Sequence, residues 1–325
     1  MELSHFISPQ QMKYLSLLTE KHPTVQSLYA EISSMQAMMG LPKGTEHFMS
    51  DLHGEYEAFE HILNNCSGVI KEKATLLFGE WMSQEQVDEL CTVIYYPQQK
   101  IRLLEKQGVV DTFWYRRTLI NLIRLARLLS SKYTRQDVRR FIPDDYDFVL
   151  DELMHSQDDE DKNQHAYHEK IVDTLLEIGA QKEFIRALSG LIKNLAVARL
   201  HVLGDLFDRG GAPDKILDML MRHPAVDFTW GNHDILWMGA AAGCMACIMA
   251  TVRNTLNYGH LRLLESSYGI SMRPLYTLAQ QNYPNLSPDE AALKTITIMM
   301  FKLEGQLIKR HPEFQMDDKL LLEHI

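Results

Sequence analysis

The sequence predicts an α/β fold whose ligand site lies past the carboxyl ends of its strands. Three polar clusters carry this expectation: Ser50-Asp51-Leu52-His53-Gly54, Gly204-Asp205-Leu206-Phe207-Asp208-Arg209-Gly210 and Gly231-Asn232-His233-Asp234. Each follows a short apolar run, at residues 47–49, 200–203 and 226–230, that reads as a buried strand. Open α/β sheets bind ligands just outside such strand ends. Asp, His, Asn and Arg side chains from three ends can therefore converge on one polar site.

In chain order, residues 9–39 show apolar positions at helical spacings and read as a helix, ended by Leu41-Pro42-Lys43-Gly44. After the first strand, Gly54 permits a close backbone turn. Residues 55–63 read as a helix with Ala58, Phe59, Ile62 and Leu63 on one face. Residues 69–195 read as a helical insertion. Its apolar stripe from Leu119 to Leu129 is interleaved with Arg116, Arg117, Arg124 and Arg127; the basic cluster from Arg116 to Arg140 could meet phosphates of a substrate or nucleic acid, but a solvated helix face is expected. Ile142-Pro143-Asp144-Asp145 is a break with helix-start chemistry. Residues 156–164 are acidic and polar, as in a solvated loop. Residues 166–195 are helical, with interruptions expected at Gly179 and Gly190.

The second strand leads into a helix over residues 213–221. Beyond the third, residues 235–252 carry no charge and read as one buried helix packed under the site. Their length is marginal for a membrane span, and no span is expected. The Cys244-x-x-Cys247 pair within them is expected in the core, lacking a second pair. Residues 257–276 are mixed. Ser287-Pro288-Asp289-Glu290 opens a helix that runs towards Lys309. The implied division is a catalytic core at residues 1–68 and 196–325 with the insertion at residues 69–195.

Bulk properties narrow the function. At 325 residues and 46% hydrophobic content the chain can bury a large core. A formal net charge of -10 argues against bulk binding to nucleic acid or an anionic membrane. Four cysteines form no disulfide framework, and Met1-Glu2-Leu3-Ser4-His5 lacks signal-peptide features, so a cytoplasmic location is expected. A homo-oligomer is compatible with all of this.

The residue types suit two divalent metals and a phosphate. Carboxylate, imidazole and amide oxygen favour Mn, Fe, Zn or Mg over soft copper. Asp51 and His53, one residue apart at a strand exit, can reach one ion. Asp205 can offer an oxygen to each of two ions, and Asn232 one to the second. Two metals roughly 3.5–4 Å apart can hold a hydroxide and clamp a phosphoryl group. Asp208 can orient His233, which can then donate a proton to a leaving alkoxide. Arg209 has forked donors for a phosphate oxygen. Each motif alone has a bland reading: Asp-x-His is common, Gly-Asn-His-Asp can be a turn, and Asp208-Arg209 an ion pair. The three in this order, each after an apolar strand, point to a metal site.

The three motifs are similar to those of the calcineurin-like metallophosphoesterase superfamily: Asp-x-His, Gly-Asp-x-x-Asp and Gly-Asn-His-Asp/Glu, followed by a later His and a final Gly-His-x-His. That resemblance implies a βαβαβ sandwich with a dinuclear metal site. It implies Asp51, His53, Asp205 and Asn232 as ligands, His233 as the acid and Asp208 as its partner. A closer resemblance, over essentially the whole chain, is to the class III fructose-1,6-bisphosphatases of bacteria. Residues Ser50 to Phe59, Pro143-Asp144-Asp145 with Leu150-Asp151-Glu152-Leu153, Gly204 to Gly210 and Trp230 to Gly239 carry it, together with the long insertion. It implies hydrolysis of fructose 1,6-bisphosphate at C1 in gluconeogenesis, usually with manganese.

The chain departs from the pattern after His233. Only His260, His311 and His324 follow, and Gly259-His260-Leu261-Arg262 is not the final His-x-His motif. The chain thus resembles the N-terminal portion of such an enzyme, with the sandwich incomplete at the C-terminus. Slow or absent turnover and at most one tightly held metal are expected. The competing readings are a protein phosphatase or dinucleoside polyphosphate hydrolase, disfavoured by the long insertion, and an inactive phosphosugar-binding or assembly fragment.

Overall fold

The computed structural model describes residues 8–155 and 162–322. The part of the acidic stretch at residues 156–161 lies outside the described residues, and residues 162–164 already belong to the helix Lys162–Glu177.

Three short strands form one parallel sheet in the order β1 (Glu46–Met49), β2 (Arg199–Val202), β3 (Val226–Phe228). Phe48 pairs with His201 and His201 with Asp227. Parallel neighbours need long crossovers. Between β1 and β2 runs the whole helical region, and between β2 and β3 the helix Pro213–Arg222. The α/β class holds, and among the described residues there is this single sheet.

One sheet face is covered. Met49, Leu200 and Val202 pack with Phe59 of the helix Tyr56–Asn65 and with Ile216 and Leu220 of Pro213–Arg222. Leu52 and Leu206, on the loops that leave β1 and β2, complete this core. They anchor the loops that carry the site. On the opposite face Phe48 stacks on His201 at 4.5 Å and is 59% exposed.

Residues 66–197 hold a separate, larger apolar cluster. At its centre the helix Thr112–Ser130, capped by Asp111 accepting from the Trp114 amide at 2.7 Å, packs on Gln181–Ala196. The interleaved arginines are only partly a solvated face: Arg117 and Arg124 are exposed, Arg116 and Arg127 half-buried. Arg116 pairs with Asp173 and Glu169, Arg124 lies over the Trp81 ring, and Arg127 Nε donates to the Leu153 carbonyl at 2.7 Å. Cations between packed helices find carboxylates and carbonyls at the rim of the core, which sequence spacing alone does not reveal.

Three further expectations are corrected. Residues 9–39 form two helices, Pro9–Lys21 and Val25–Met39, because Pro23 cannot continue the first and Thr24 caps the second. Gly190 does not interrupt a helix; it lies inside Gln181–Ala196, whereas Gly179, at φ 78°, does separate two. Residues 235–252 are not one helix, and they are buried only towards their end, at Met249, Thr251 and Val252. The helix Asn232–Ala241 ends at Gly243, which takes φ 86° as helix-terminating glycines do, and Met245–Asn257 begins afresh. Ile235, Met238 and Met245 are about half exposed. No helix among the described residues is long and apolar enough to cross a membrane. As expected, Ser287 and Glu290 form a capping box that opens Pro288–Arg310.

Candidate metal centre

The loops leaving β1 and β2 are zipped together by main-chain bonds. The Asp51 amide donates to Gly204 O at 3.1 Å, His53 to Asp205 O at 2.8 Å, Gly54 to Leu206 O at 2.8 Å, and Gly210 to His53 O at 2.6 Å. So close an approach explains the glycine at position 54: a Cβ there would lie 2.5 Å from the Gly210 carbonyl oxygen. The backbone is also locally strained. Asp51, His53, Asp205, Asp208 and Arg209 all take positive φ, between 45° and 68°. Only Cys66, Ser67 and Gln315 among the other described non-glycine residues do so. Strain of this kind, of order 1–3 kcal/mol per residue, persists only where surrounding structure over-determines it.

These loops bring Asp51, His53 and Asp205 together, with one candidate ligand atom from each, all within 4.8 Å of one another. His53 Nε2 is 3.6 Å from Asp51 Oδ1. His53 Nδ1 lies 3.0 Å from the Phe207 carbonyl. A carbonyl only accepts, so Nδ1 carries the proton and Nε2 keeps its lone pair, the tautomer a metal needs. The His53 side chain is 7% exposed and that of Asp51 67%, so an ion would be open to solvent on the Asp51 side. The Ser50 hydroxyl donates to the second Asp51 oxygen. Two carboxylates and one imidazole fit a hard or borderline divalent cation.

His233 stands beside this group, its ring edge-on to His53 at 5.3 Å. Its Nδ1 is 2.7 Å from Asp208 Oδ2. Asp208 is buried and also accepts from Trp237 Nε1 at 3.2 Å and Asn254 Nδ2 at 3.0 Å. With Asp208 holding Nδ1–H, His233 Nε2 is left on the far side of the ring. Asn232 opens the helix Asn232–Ala241 with an exposed side chain, one residue from the His233 amide, which donates to Asp205 Oδ1 at 3.2 Å. Arg209 is exposed and has no ion-pair partner among the described residues. Every predicted site residue thus lies on the loops after β1 and β2 or in the first turn after β3.

Four residues to which the sequence reading gave no role support the site. Asp234 is buried, and its carboxylate accepts the amides of Asp205, Leu206, Phe207 and Gly231 at 2.7–3.3 Å. It stands three residues into its helix, so capping logic would have found the Gly231 bond. Trp237 shares a helix face with His233, four residues on. Asn254 and His260 gave no local signal. His260 packs against Gly211 and lines a small crevice with Asp208 and Arg209.

The chain matches the model of the Firmicute fructose-1,6-bisphosphatase family over residues 13–325. It belongs to that family. It is 45% identical to the class 3 fructose-1,6-bisphosphatase of Clostridium novyi (strain NT), with 97% of this chain and 50% of that protein covered. It is likewise 45% identical to that of Listeria monocytogenes serotype 4b, with 97% and 51% covered. The chain thus spans about half the length of the curated relatives it matches. No solved structure matches it.

Proposed function

We propose that the chain carries the metal-binding core of a phosphatase that hydrolyses fructose 1,6-bisphosphate at C1, releasing fructose 6-phosphate and phosphate, as in gluconeogenesis. The observation that carries this reading is the meeting of Asp51, His53 and Asp205 with the His233–Asp208 pair at one end of a parallel sheet. Family membership narrows the substrate from phosphoesters in general to a sugar bisphosphate.

In this reading Asp51, His53 and Asp205 hold a divalent cation, with manganese first and Mg, Fe or Zn as substitutes. Asp205 and Asn232 contribute towards a second. Such cations, when bound, supply Lewis acidity to a phosphoryl oxygen and ease ionisation of water at neutral pH. Arg209 receives a phosphate oxygen through its forked donors. Asp208 holds the His233 ring so that Nε2 meets the leaving C1 oxygen and donates a proton to it. Trp237 and Asn254 keep Asp208 in place. Residues 1–68 and 196–325 act as the catalytic core, a partner in the two-sheet sandwich of the superfamily, and residues 69–195 as the inserted helical domain. A cytoplasmic setting suits a soluble sugar phosphate.

Phosphate release from fructose 1,6-bisphosphate, a phosphopeptide and a dinucleoside polyphosphate, each with added Mn2+, tests the reading. The sugar bisphosphate is expected to be turned over fastest. Preference for either other substrate would refute the assignment. Sugar bisphosphate binding without turnover would make this chain a phosphosugar-binding module instead.

A further inference from the structure

Cys244 and Cys247 lie where the helix Asn232–Ala241 turns into Met245–Asn257. Cys244 is the cap residue of the second helix, in extended conformation at φ -68° and ψ 108°, and is exposed. Cys247 is half-buried, packed where Gly239 offers no side chain; a Cβ on Gly239 would lie 2.6 Å from its sulfur. The turn is fixed by Cys244 N donating to Gly239 O and Ile248 N to Cys244 O, both at 2.9 Å.

The two sulfurs are not equivalent. The Cys247 amide, the Cys247 thiol and the Ala246 amide lower the Cys244 pKa. The Cys247 thiol is pushed up, by burial and by its neighbour. An exposed, acidified cysteine at a helix start, with a second thiol one turn on, is the arrangement that makes a thiol pair reactive. The other two cysteines are the opposite: Cys66 and Cys91 are buried, with thiols pushed up to about 12 and about 11.

We propose that Cys244 and Cys247 form a redox-active dithiol that is oxidised by exchange with low-molecular-weight disulfides. The Cys244 thiolate attacks one sulfur of the small disulfide. Its S–S bond breaks, a mixed disulfide forms on Cys244, and the departing thiolate takes a proton from solvent. Cys247 then loses its proton and attacks the Cys244 sulfur, and the second small thiol leaves with a proton. Two protein thiols are oxidised and one small disulfide is reduced to two thiols. The pair joins the helix Asn232–Ala241, which carries His233, to the helix that carries Asn254, the Asp208 donor. The inference stands apart from the phosphatase reading.

The test treats the full chain with oxidised glutathione at neutral pH and counts thiols by mass spectrometry. Wild type is expected to lose two thiols, retain no adduct, and recover both with dithiothreitol. Cys247→Ser is expected to hold one glutathione on Cys244, and Cys244→Ser none. At pH 7 a thiol at about 12 is ionised to about one part in 10⁵, so Cys66 serves as the internal unreactive control. Loss of no thiols in wild type, an unmodified Cys247→Ser protein, or adducts spread equally over Cys66 and Cys91 would overturn the proposal. The wild-type thiol count holds whatever the variants do to folding.

Discussion

Replacing Asp234 by Asn removes one anionic oxygen from a buried group that accepts four backbone amides. Oδ2 takes Asp205 N at 2.7 Å and Gly231 N at 2.8 Å; Oδ1 takes Leu206 N at 2.9 Å and Phe207 N at 3.3 Å. An Asn has one acceptor oxygen. Whichever way its amide turns, two of these N–H groups face an NH2. A buried donor left without an acceptor costs about 1–3 kcal/mol, so two cost about 2–6 kcal/mol before the loops relax. Relaxation moves Asp205 and Phe207, whose carbonyl fixes the His53 tautomer. Asp234→Asn is therefore expected to lower the unfolding free energy by at least about 2 kcal/mol in urea, and to weaken Mn2+ binding by about 10- to 100-fold in calorimetric titration, as loss of a ligand-orienting group does. Stability within about 0.5 kcal/mol of wild type, as for an ordinary surface substitution, together with unchanged Mn2+ affinity, would refute the reasoning.

Asp205→Asn should weaken Mn2+ binding at least about 10-fold, by loss of a charged ligand; an unchanged titration removes Asp205 from the ligand set. His233→Ala should slow fructose 1,6-bisphosphate hydrolysis by about 10²–10⁴ while sparing p-nitrophenyl phosphate, whose leaving group needs no acid; equal losses on both would count against proton donation by His233. Gly54→Ala should destabilise the protein by more than about 1 kcal/mol, since φ is 70° and the new methyl meets the Gly210 carbonyl; a neutral result in urea would show that the two loops can part. Burial lowers the pKa of His47 and, with help from His47 itself, of His223, from the usual 6.5. The unfolded chain then takes up these protons first. Their contribution is complete above pH 6.5 and is lost as pH falls from there towards the folded values. A urea midpoint that does not drop more steeply between pH 7 and pH 5 in wild type than in His47→Gln would contradict this.

What could be read without coordinates was whatever the chain states locally. The three strands were legible because each short run ends in a motif that cannot be buried without a partner; their burial was not, since β3 is exposed at Asp227 and Phe228 and β1 is buried only at Met49. Asp51, His53 and Asp205 were legible because their chemistry has few other uses at strand exits. The Ser287–Glu290 start was legible because a capping box is complete within four residues. Long-range compensation was not. Asn254 reaches Asp208 from 46 residues away, and Arg116 meets Asp173 from 57. The stretch 235–252 misleads because lack of charge does not ensure burial: Ile235, Met238 and Met245 are about half exposed. Its Gly243 carried the correct signal, a helix end.

The loops that leave β1 and β2 are tied to each other by main-chain bonds and by Asp234. Their ordering entropy is therefore spent when the chain folds. A cation bound by Asp51, His53 and Asp205 would meet loops already in place, so its affinity would depend more on charge and fit than on the work of assembling a cage. Removing the metal should leave the cage standing, ready to be refilled.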